Sequence, residues 1–449
     1  VTREPIIVIG AGFAGLSAAV RLVEAGRSVV VLEATKAGGG RSRSFHDAVT
    51  GREIDNGQHL VMGCYHETIA FLRAIGAGDD VLHFQRNLAV HMVKPGGKRI
   101  DLHCPALPAP LHLAAGLIGM TGIGVLHRAA ALRAGLLLRG EIMRPDDNET
   151  CDAWLRRMGQ TQAIRAAFWE PLIWAVLNDD PLVASAAMLV AVLDRAFMST
   201  RDASSLGVPT RPLSRLYVDR AVAWLRERGC EVRFAAPVRK LELDAAGHVE
   251  GVLLKSGERV ATKSVITAIP PHALLEILPE SALEHVVFRD VARLDSSPIV
   301  NLWVGLDRPL LDRPFVGLVG SPLHWLWDRD QIEGRGRAAS EGVAHLLSVT
   351  ISGARSFVHD QPDALRELFV AELRRYFPRS QAKVTAFRVV KEKRATISHA
   401  AGTYLRRPPT RSPIAGLLLA GDWVRTGIPA TIESAAQSGH DAARTLLEG

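Results

Sequence analysis

Near its start the chain carries four consecutive apolar residues, Ile6-Ile7-Val8-Ile9, the unbroken run expected of a parallel strand buried on both faces. Gly10-Ala11-Gly12-Phe13-Ala14-Gly15 follows without a spacer. From Leu16 to Ala25 the spacing turns helical, with Ala18, Ala19, Leu22 and Val23 as the inward set and Gly26 as the stop. Ser28 to Leu32 reads as a second strand that ends in Glu33. In this strand, glycine turn, helix, strand, acid unit each part has a physical task. Gly10 makes the tight turn, Gly12 lets backbone approach a pyrophosphate, and Gly15 lets helix and sheet pack closely. The helix N-terminus offers unpaired N–H groups and partial positive charge to phosphates, and Glu33 accepts hydrogen bonds from a ribose. Glycines alone would read as a structural loop; the flanking elements favour a bound dinucleotide.

Further along, Leu213 to Arg228 predicts a helix, and short alternating runs between Pro212 and Pro271 predict a β-meander with turns at Ala245-Ala246-Gly247 and Ser256-Gly257. Val265 to Ile269 is another buried strand. From Pro298 to about Thr396 the runs Ile299–Val304 and His345–Ile351, with a helix near Pro362 to Phe377, predict a second, sheet-based domain. Leu417 to Ala420 predicts a strand, followed by Gly421-Asp422 and a helix from about Ala430 to Leu447. Gly334-Arg335-Gly336-Arg337 reads as a surface turn. At 449 residues the chain exceeds what one hydrophobic core organises. The pattern divides it into a nucleotide domain from 1–62, 208–274 and 397–449, and a substrate domain from 63–207 and 275–396.

Composition adds exclusions. Apolar residues at 47% and charged residues at 22% exclude a disordered, collagenous or multi-span membrane chain. The net charge of +7 is a modest surplus, suited to anionic lipid headgroups or simply to a basic surface; without zinc-ligand spacing or a long basic block, no nucleic-acid partner is expected. Cys64, Cys104, Cys151 and Cys230 lie far apart, so neither disulfides nor a metal site is expected and a reducing, cytoplasmic setting fits. The sequence Val1-Thr2-Arg3-Glu4-Pro5 leads directly into the first strand, and no signal peptide is expected. Leu102 to His127 holds no Asp, Glu, Lys or Arg, yet Pro105, Pro108, Pro110 and four glycines break it, so it is not expected to span a bilayer. Arg128, Arg133 and Arg139, interleaved with Leu132 and Leu136 to Leu138, pattern as an interfacial amphipathic helix. A buried helix pair is the competing reading of this 102–139 region.

Just beyond Glu33 comes Gly38-Gly39-Gly40-Arg41-Ser42-Arg43-Ser44. Together with the first unit it resembles the dinucleotide motif plus GGRxxS signature of the flavin-containing amine oxidases and carotenoid-type desaturases. Leu419-Ala420-Gly421-Asp422 and Thr431-Ile432-Glu433-Ser434-Ala435 resemble that family's closing motif. The resemblance implies FAD and an α/β fold, a Rossmann-like FAD-binding domain of the GR2 type with a discontinuous α+β substrate domain, as in amine oxidases. It implies cofactor contacts at Gly10, Gly12, Phe13, Ala14, Gly15, Glu33, Ala34, Gly39, Gly40, Arg41, Gly57, Gln58, Val238, Gly421, Asp422, Ala430, Thr431 and Ile432. Independently, a helix N-terminus at Ala430-Thr431-Ile432 would stabilise negative charge on a reduced flavin ring. A second fingerprint for a nicotinamide nucleotide is absent, so the electron donor is expected to dock transiently.

Asp55-Asn56-Gly57-Gln58-His59-Leu60 is the most particular segment. It is similar to the squalene-associated branch of the desaturases, the hydroxysqualene dehydroxylases, and Arg52, Tyr65 and Phe71 to Gly76 fit that branch. The resemblance implies FAD-dependent reduction of a long isoprenoid alcohol to squalene on a bacterial route to hopanoids; because such a substrate is insoluble, peripheral contact with the inner membrane through part of the 102–139 region is expected. Two other readings compete: a desaturase or amine oxidase using flavin in the opposite direction, and a flavin- and lipid-binding scaffold without chemistry. With aromatics at 6%, an aromatic cage for a cationic substrate is not expected. His59 is the candidate general acid, with Asp55 orienting and charging it; a core histidine and a turn-capping aspartate are the alternatives.

Overall fold

The computed structural model describes residues 4–78, 81–138, 140, 143–334 and 343–448. Arg139 and residues 335–337 of the expected surface turn lie outside them. A five-stranded parallel sheet, in the order Glu231–Arg233, Val29–Leu32, Ile6–Ile9, Val265–Thr267, Leu417–Leu419, organises one part of the molecule. Ile6 and Val8 pack into one core and Ile7 and Ile9 into another. The first strand is apolar throughout because both of its faces are covered.

Helix Phe13–Glu24 and the final helix Ile432–Leu447 cross closely over this sheet. A Cβ on Gly439 would overlap the Ala14 carbonyl oxygen and Ser17 Oγ. Ser17 instead donates to the Ala436 carbonyl at 3.1 Å. Small residues at the crossing therefore bring the two ends of the chain together. The region after Pro212 differs from a plain helix and meander: a π-helical turn, Ser214–Val218, precedes Asp219–Glu227, and Glu231–Arg233 joins the parallel sheet. Only Val238–Leu243, Val249–Leu254 and Arg259–Ala261 form the antiparallel meander.

The second sheet has seven strands, in the order Val384–Ile397, Ser296–Leu306, His345–Ile351, Trp325–Asp328, Phe315–Leu318, Ala89–Val93, Arg99–His103. Side chains alternate across it. Val300, Leu302, Val349 and Ile351 face the core shared with Leu365 and Phe369 of helix Pro362–Tyr376. Ile299, Asn301, Thr350, Trp325, Trp327, Phe315, Met92 and Val90 line a cavity on the opposite face. The charge-free stretch after Leu102 ends one strand and continues as helices Leu111–Gly119 and Val125–Leu137, both with exposed apolar residues. Among the described residues no helix is long and apolar enough to cross a membrane.

Candidate functional site

Segments remote in sequence converge at the carboxyl ends of the parallel strands, the position at which open α/β sheets bind nucleotides. One cavity of about 680 Å³ is lined by Glu33, Ala34 and Val238, by Gly10, Gly12, Phe13, Ala14, Gly39, Gly40, Arg41, Gly421 and Asp422, and by Gly57, Gln58, His59, Ala430, Thr431 and Ile432. Gly15 is not among its walls: a Cβ there would overlap the Gly10 carbonyl oxygen, so this glycine serves the turn itself.

The cradle fits a diphosphate. A Cβ on Gly12 would meet nothing within 4 Å, and one on Gly40 only the Gly12 Cα at 3.8 Å. The two glycines thus leave an open groove at the start of helix Phe13–Glu24, whose N-terminus has no side-chain cap and no acidic residue in its first turn. Its N–H groups and dipole suit an anion. Arg41 supplies the facing positive charge and links the two ends of the chain, donating to Asp422 at 2.6 Å and to the Ala395 carbonyl at 2.7 Å. Burial opposes this charge, but Asp422 and Glu392 more than offset it, and the guanidinium holds its proton above the usual range. Glu33 accepts from Ala11 N–H at 2.8 Å and from Thr35 N–H and Oγ at 2.9 Å. These three bonds leave one of the four carboxylate acceptor positions for a ribose hydroxyl.

Several supports were not legible as motifs. Tyr217 stacks on Phe13 with ring centroids 3.9 Å apart and donates to the Gly39 and Ser42 carbonyls, bracing the glycine-rich segment from behind. Arg407, only 2% exposed, donates to the carbonyls of Asp422, Trp423, Val424 and Ile428 and to Ser434 Oγ. It ties the Gly421-Asp422 loop to the final helix. Arg329, also buried, donates to Gln58 Oε1 at 2.9 Å while paired with Glu333.

Two expectations need correction. The Ala430 N–H is not free for a flavin: it donates to His399 Nε2 at 2.7 Å, while His399 Nδ1 donates to the Leu177 carbonyl. Burial holds His399 down to about 4, which keeps it neutral and able to accept. Thr431 Oγ1 caps the final helix at Ser434 N–H. The second correction concerns Asp55, which lies behind the cavity wall; its Oδ1 accepts from Ser44 Oγ at 2.6 Å and Leu213 N–H at 2.9 Å, with no hydrogen bond to His59. It joins the Ser44–Asp55 hairpin to the helix that follows Pro212. His59 does reach the cavity, but its Nδ1 donates to the Gly57 carbonyl at 2.8 Å and its Nε2 lies 3.2 Å from Ser42 Oγ. Burial pulls its pKa below the ordinary value of 6.5 despite Asp55, so the resting imidazole is neutral, not charged.

The aromatic residues, few overall, are concentrated here. Tyr65, Phe168, Trp174, Phe197, Phe315, Trp325 and Trp327 all line the cavity, with Phe315 and Trp327 centroids 4.7 Å apart. Trp423 also borders it, but its indole N–H donates to the Ile269 carbonyl at 3.0 Å and the residue is 1% exposed.

Comparison with known proteins agrees with this geometry. The profile of the flavin containing amine oxidoreductase family matches residues 13–447. The chain is 30% identical to hydroxysqualene dehydroxylase of Rhodopseudomonas palustris, covering 99% of this chain and 98% of that one. It is 31% identical to hydroxysqualene dehydroxylase of Sinorhizobium fredii, covering 98% and 97%. Among solved structures, an oxidoreductase from Methanosarcina mazei superposes with a TM-score of 0.76 at 18% identity, over 99% of both chains. With the cradle, the paired Arg41 and Asp422 and the matched profile in hand, the chain belongs to the flavin-containing amine oxidoreductase family and is an FAD-dependent oxidoreductase.

Proposed function

We propose that this enzyme reduces hydroxysqualene to squalene, replacing the hydroxyl by hydrogen with release of water, as a step that supplies hopanoid synthesis. The observation that carries the reading is the extension of the cavity beyond the dinucleotide cradle into a chamber walled by Phe168, Leu172, Trp174, Phe197, Leu206, Phe315, Trp325 and Trp327. Such walls suit a long hydrocarbon. Bound FAD, reduced by a transient donor, supplies the hydride equivalent. The chain's own residues manage charge and water. Apolar walls keep water from a carbon that becomes positive as the C–O bond weakens, and aromatic faces attract that positive charge.

His59 is the proposed proton carrier to the departing oxygen, and its neutral resting state gives this role a pH signature. Its Nδ1 proton is held by Gly57, so Nε2 is the atom that takes up and passes on a proton. Because its pKa lies below 6.5, the charged donor form grows only as pH falls through that range. Reoxidation of photoreduced enzyme by hydroxysqualene is expected to quicken below pH 6.5, and His59→Gln to lose that limb while keeping its flavin. An unchanged profile in His59→Gln would place the proton carrier elsewhere.

The reaction itself is tested by anaerobic incubation of photoreduced enzyme with hydroxysqualene and identification of the product. Squalene supports the proposal. A flavin that stays reduced counts against it, and dehydrogenation of a carotenoid-like chain by the oxidised enzyme would favour a desaturase.

Peripheral attachment to the inner membrane, on its cytoplasmic side, belongs to the same proposal, because a C30 substrate is held in lipid. Leu111, Ile118, Val125, Leu126 and Leu136 are all more than half exposed on the two helices after Pro110. Met120, at the end of the first of them, lines the cavity. The amphipathic pattern expected for Leu136 to Leu138 holds only in part: Leu138 is buried, and Arg128 and Arg133 bond to the carbonyls of Ile118 and Met158. Affinity would therefore come mainly from apolar burial, at about 25 cal/mol per Å². Replacing Ile118, Val125, Leu126 and Leu136 together by Ser is expected to lower sedimentation with liposomes while leaving flavin content intact. Undiminished sedimentation would rule this face out.

A further inference from the structure

We infer that Ser352 and Thr350 form a subsite for the substrate's hydroxyl group, set into the largely apolar chamber. The inference rests on the proposed reading of the substrate as an isoprenoid alcohol and names the place where its oxygen sits.

Ser352 is the first residue beyond strand His345–Ile351; it lines the cavity and is 6% exposed. Its Oγ makes no hydrogen bond to any described residue, while its own N–H and that of Gly353 are both engaged. Its hydroxyl is therefore open to a partner that enters the cavity. The backbone that carries it is held in place. The Ser352 N–H donates to His324 Nδ1 at 3.0 Å, and the next N–H, of Gly353, donates to Asn178 Oδ1 at 2.7 Å. Gly353 has φ +55°, and a Cβ there would overlap the Trp174 ring. Trp174 in turn stacks on His324, centroids 4.7 Å apart at 21°. Burial brings His324 to about 4, so its Nδ1 stays a neutral acceptor for the Ser352 amide.

Thr350, two positions earlier, also lines the cavity. Its only side-chain hydrogen bond among the described residues is a long one, Oγ1 to Asn301 Oδ1 at 3.4 Å, and its oxygen remains open as an acceptor. Asn301 is anchored to the Asn56 carbonyl at 3.1 Å and abuts Gly57, on the flavin side of the cavity. The pair therefore offers an O–H donor at Ser352 and a lone pair at Thr350, the complement of an alcohol, which both accepts and donates. Neither group is charged, so the subsite suits a neutral hydroxyl and not an ammonium or a carboxylate. Preorganisation by Trp174, His324 and Asn178 spares the ordering cost of binding.

The test measures dissociation constants of hydroxysqualene and squalene for the oxidised holoenzyme in detergent micelles, read from the flavin absorbance and tryptophan fluorescence. The wild type should prefer the alcohol by roughly tenfold, the worth of one or two neutral hydrogen bonds. Ser352→Ala and Thr350→Val should each shrink that preference while squalene affinity and flavin content stay unchanged, and Ser352→Thr, which keeps the hydroxyl, should retain it. No preference in the wild type, no binding of either lipid, or full preference in Ser352→Ala would overturn the subsite. If the preference exists and is lost in Ser352→Ala, yet photoreduced enzyme makes no squalene, the subsite stands and the dehydroxylation reading fails.

Discussion

Gly12→Val is expected to give a protein that folds normally and purifies without yellow colour. The backbone at Gly12 is extended, φ −88° and ψ −172°, which valine adopts without strain. A new Cβ meets no protein atom within 4 Å, so the fold loses little; valine in place of glycine as N-cap costs on the order of 1 kcal/mol. The isopropyl group instead fills the groove between Gly12 and Gly40, where the backbone must approach the cofactor's phosphates. Retained helix signal in circular dichroism together with an absent flavin spectrum is the expected pair of observations. Gly15→Val provides the contrast. Its Cβ would overlap the Gly10 carbonyl, and that variant should fail to accumulate as folded protein. Wild-type flavin content in Gly12→Val would show that the diphosphate does not pass this glycine.

Arg407→Met is expected to remove both stability and flavin. The guanidinium sits within the closing loop and satisfies the carbonyls of Asp422, Trp423, Val424 and Ile428. Burial lowers its pKa to about 10, which leaves it charged throughout the neutral range. Methionine fills much of the volume but donates nothing, so buried carbonyls lose their partners. Removing one side of such a charged network costs about 3–5 kcal/mol. The loop that holds Asp422 against Arg41 would loosen with it, so thermal unfolding should fall markedly and FAD should dissociate during gel filtration. Arg407→Lys, with a single charged nitrogen in place of a planar fork, should restore only part of this. A variant that keeps both its melting temperature and its flavin would reduce Arg407 to a bystander.

The effects differ in kind because Gly12 borders the cofactor groove while Arg407 satisfies buried carbonyls of the closing loop. Gly12 was legible from a ten-residue window: strand, turn and helix are neighbours in the chain, and the spacing of the glycines reports the turn they make. The same holds for Glu33, Gly39, Gly40 and Arg41, which follow within one further strand, and for Gly421-Asp422 at the end of another. Arg407 carries no such signal. It is one of many arginines, and its partners are backbone carbonyls, which every residue type supplies.

Local spacing also misjudged what the site's groups are doing. The final helix begins within two residues of the expected position, yet whether the Ala430 N–H just ahead of it is free depends on His399, some thirty positions earlier and brought alongside by the strand before it. Asp55 and His59 lie four residues apart and looked like a pair. The Ser44–Asp55 hairpin turns Asp55 toward Ser44 and Leu213, while His59 points into the cavity. A composition of 6% aromatics gave no hint that seven of those rings would line one cavity, because they come from segments spread between Tyr65 and Trp327.

By itself, then, the sequence determined the nucleotide-binding unit, because strand, turn and helix are adjacent in the chain and their geometry follows from spacing; its resemblance to the flavin-containing amine oxidases pointed to the family and the flavin. Tertiary structure decided the shape of the substrate chamber, the partners of His59 and Ala430, the clamp at Arg407 and the free hydroxyl at Ser352. Each of these depends on strand order and register in the seven-stranded sheet or on contacts between distant loops, and spacing along the chain does not reveal which distant residues become neighbours.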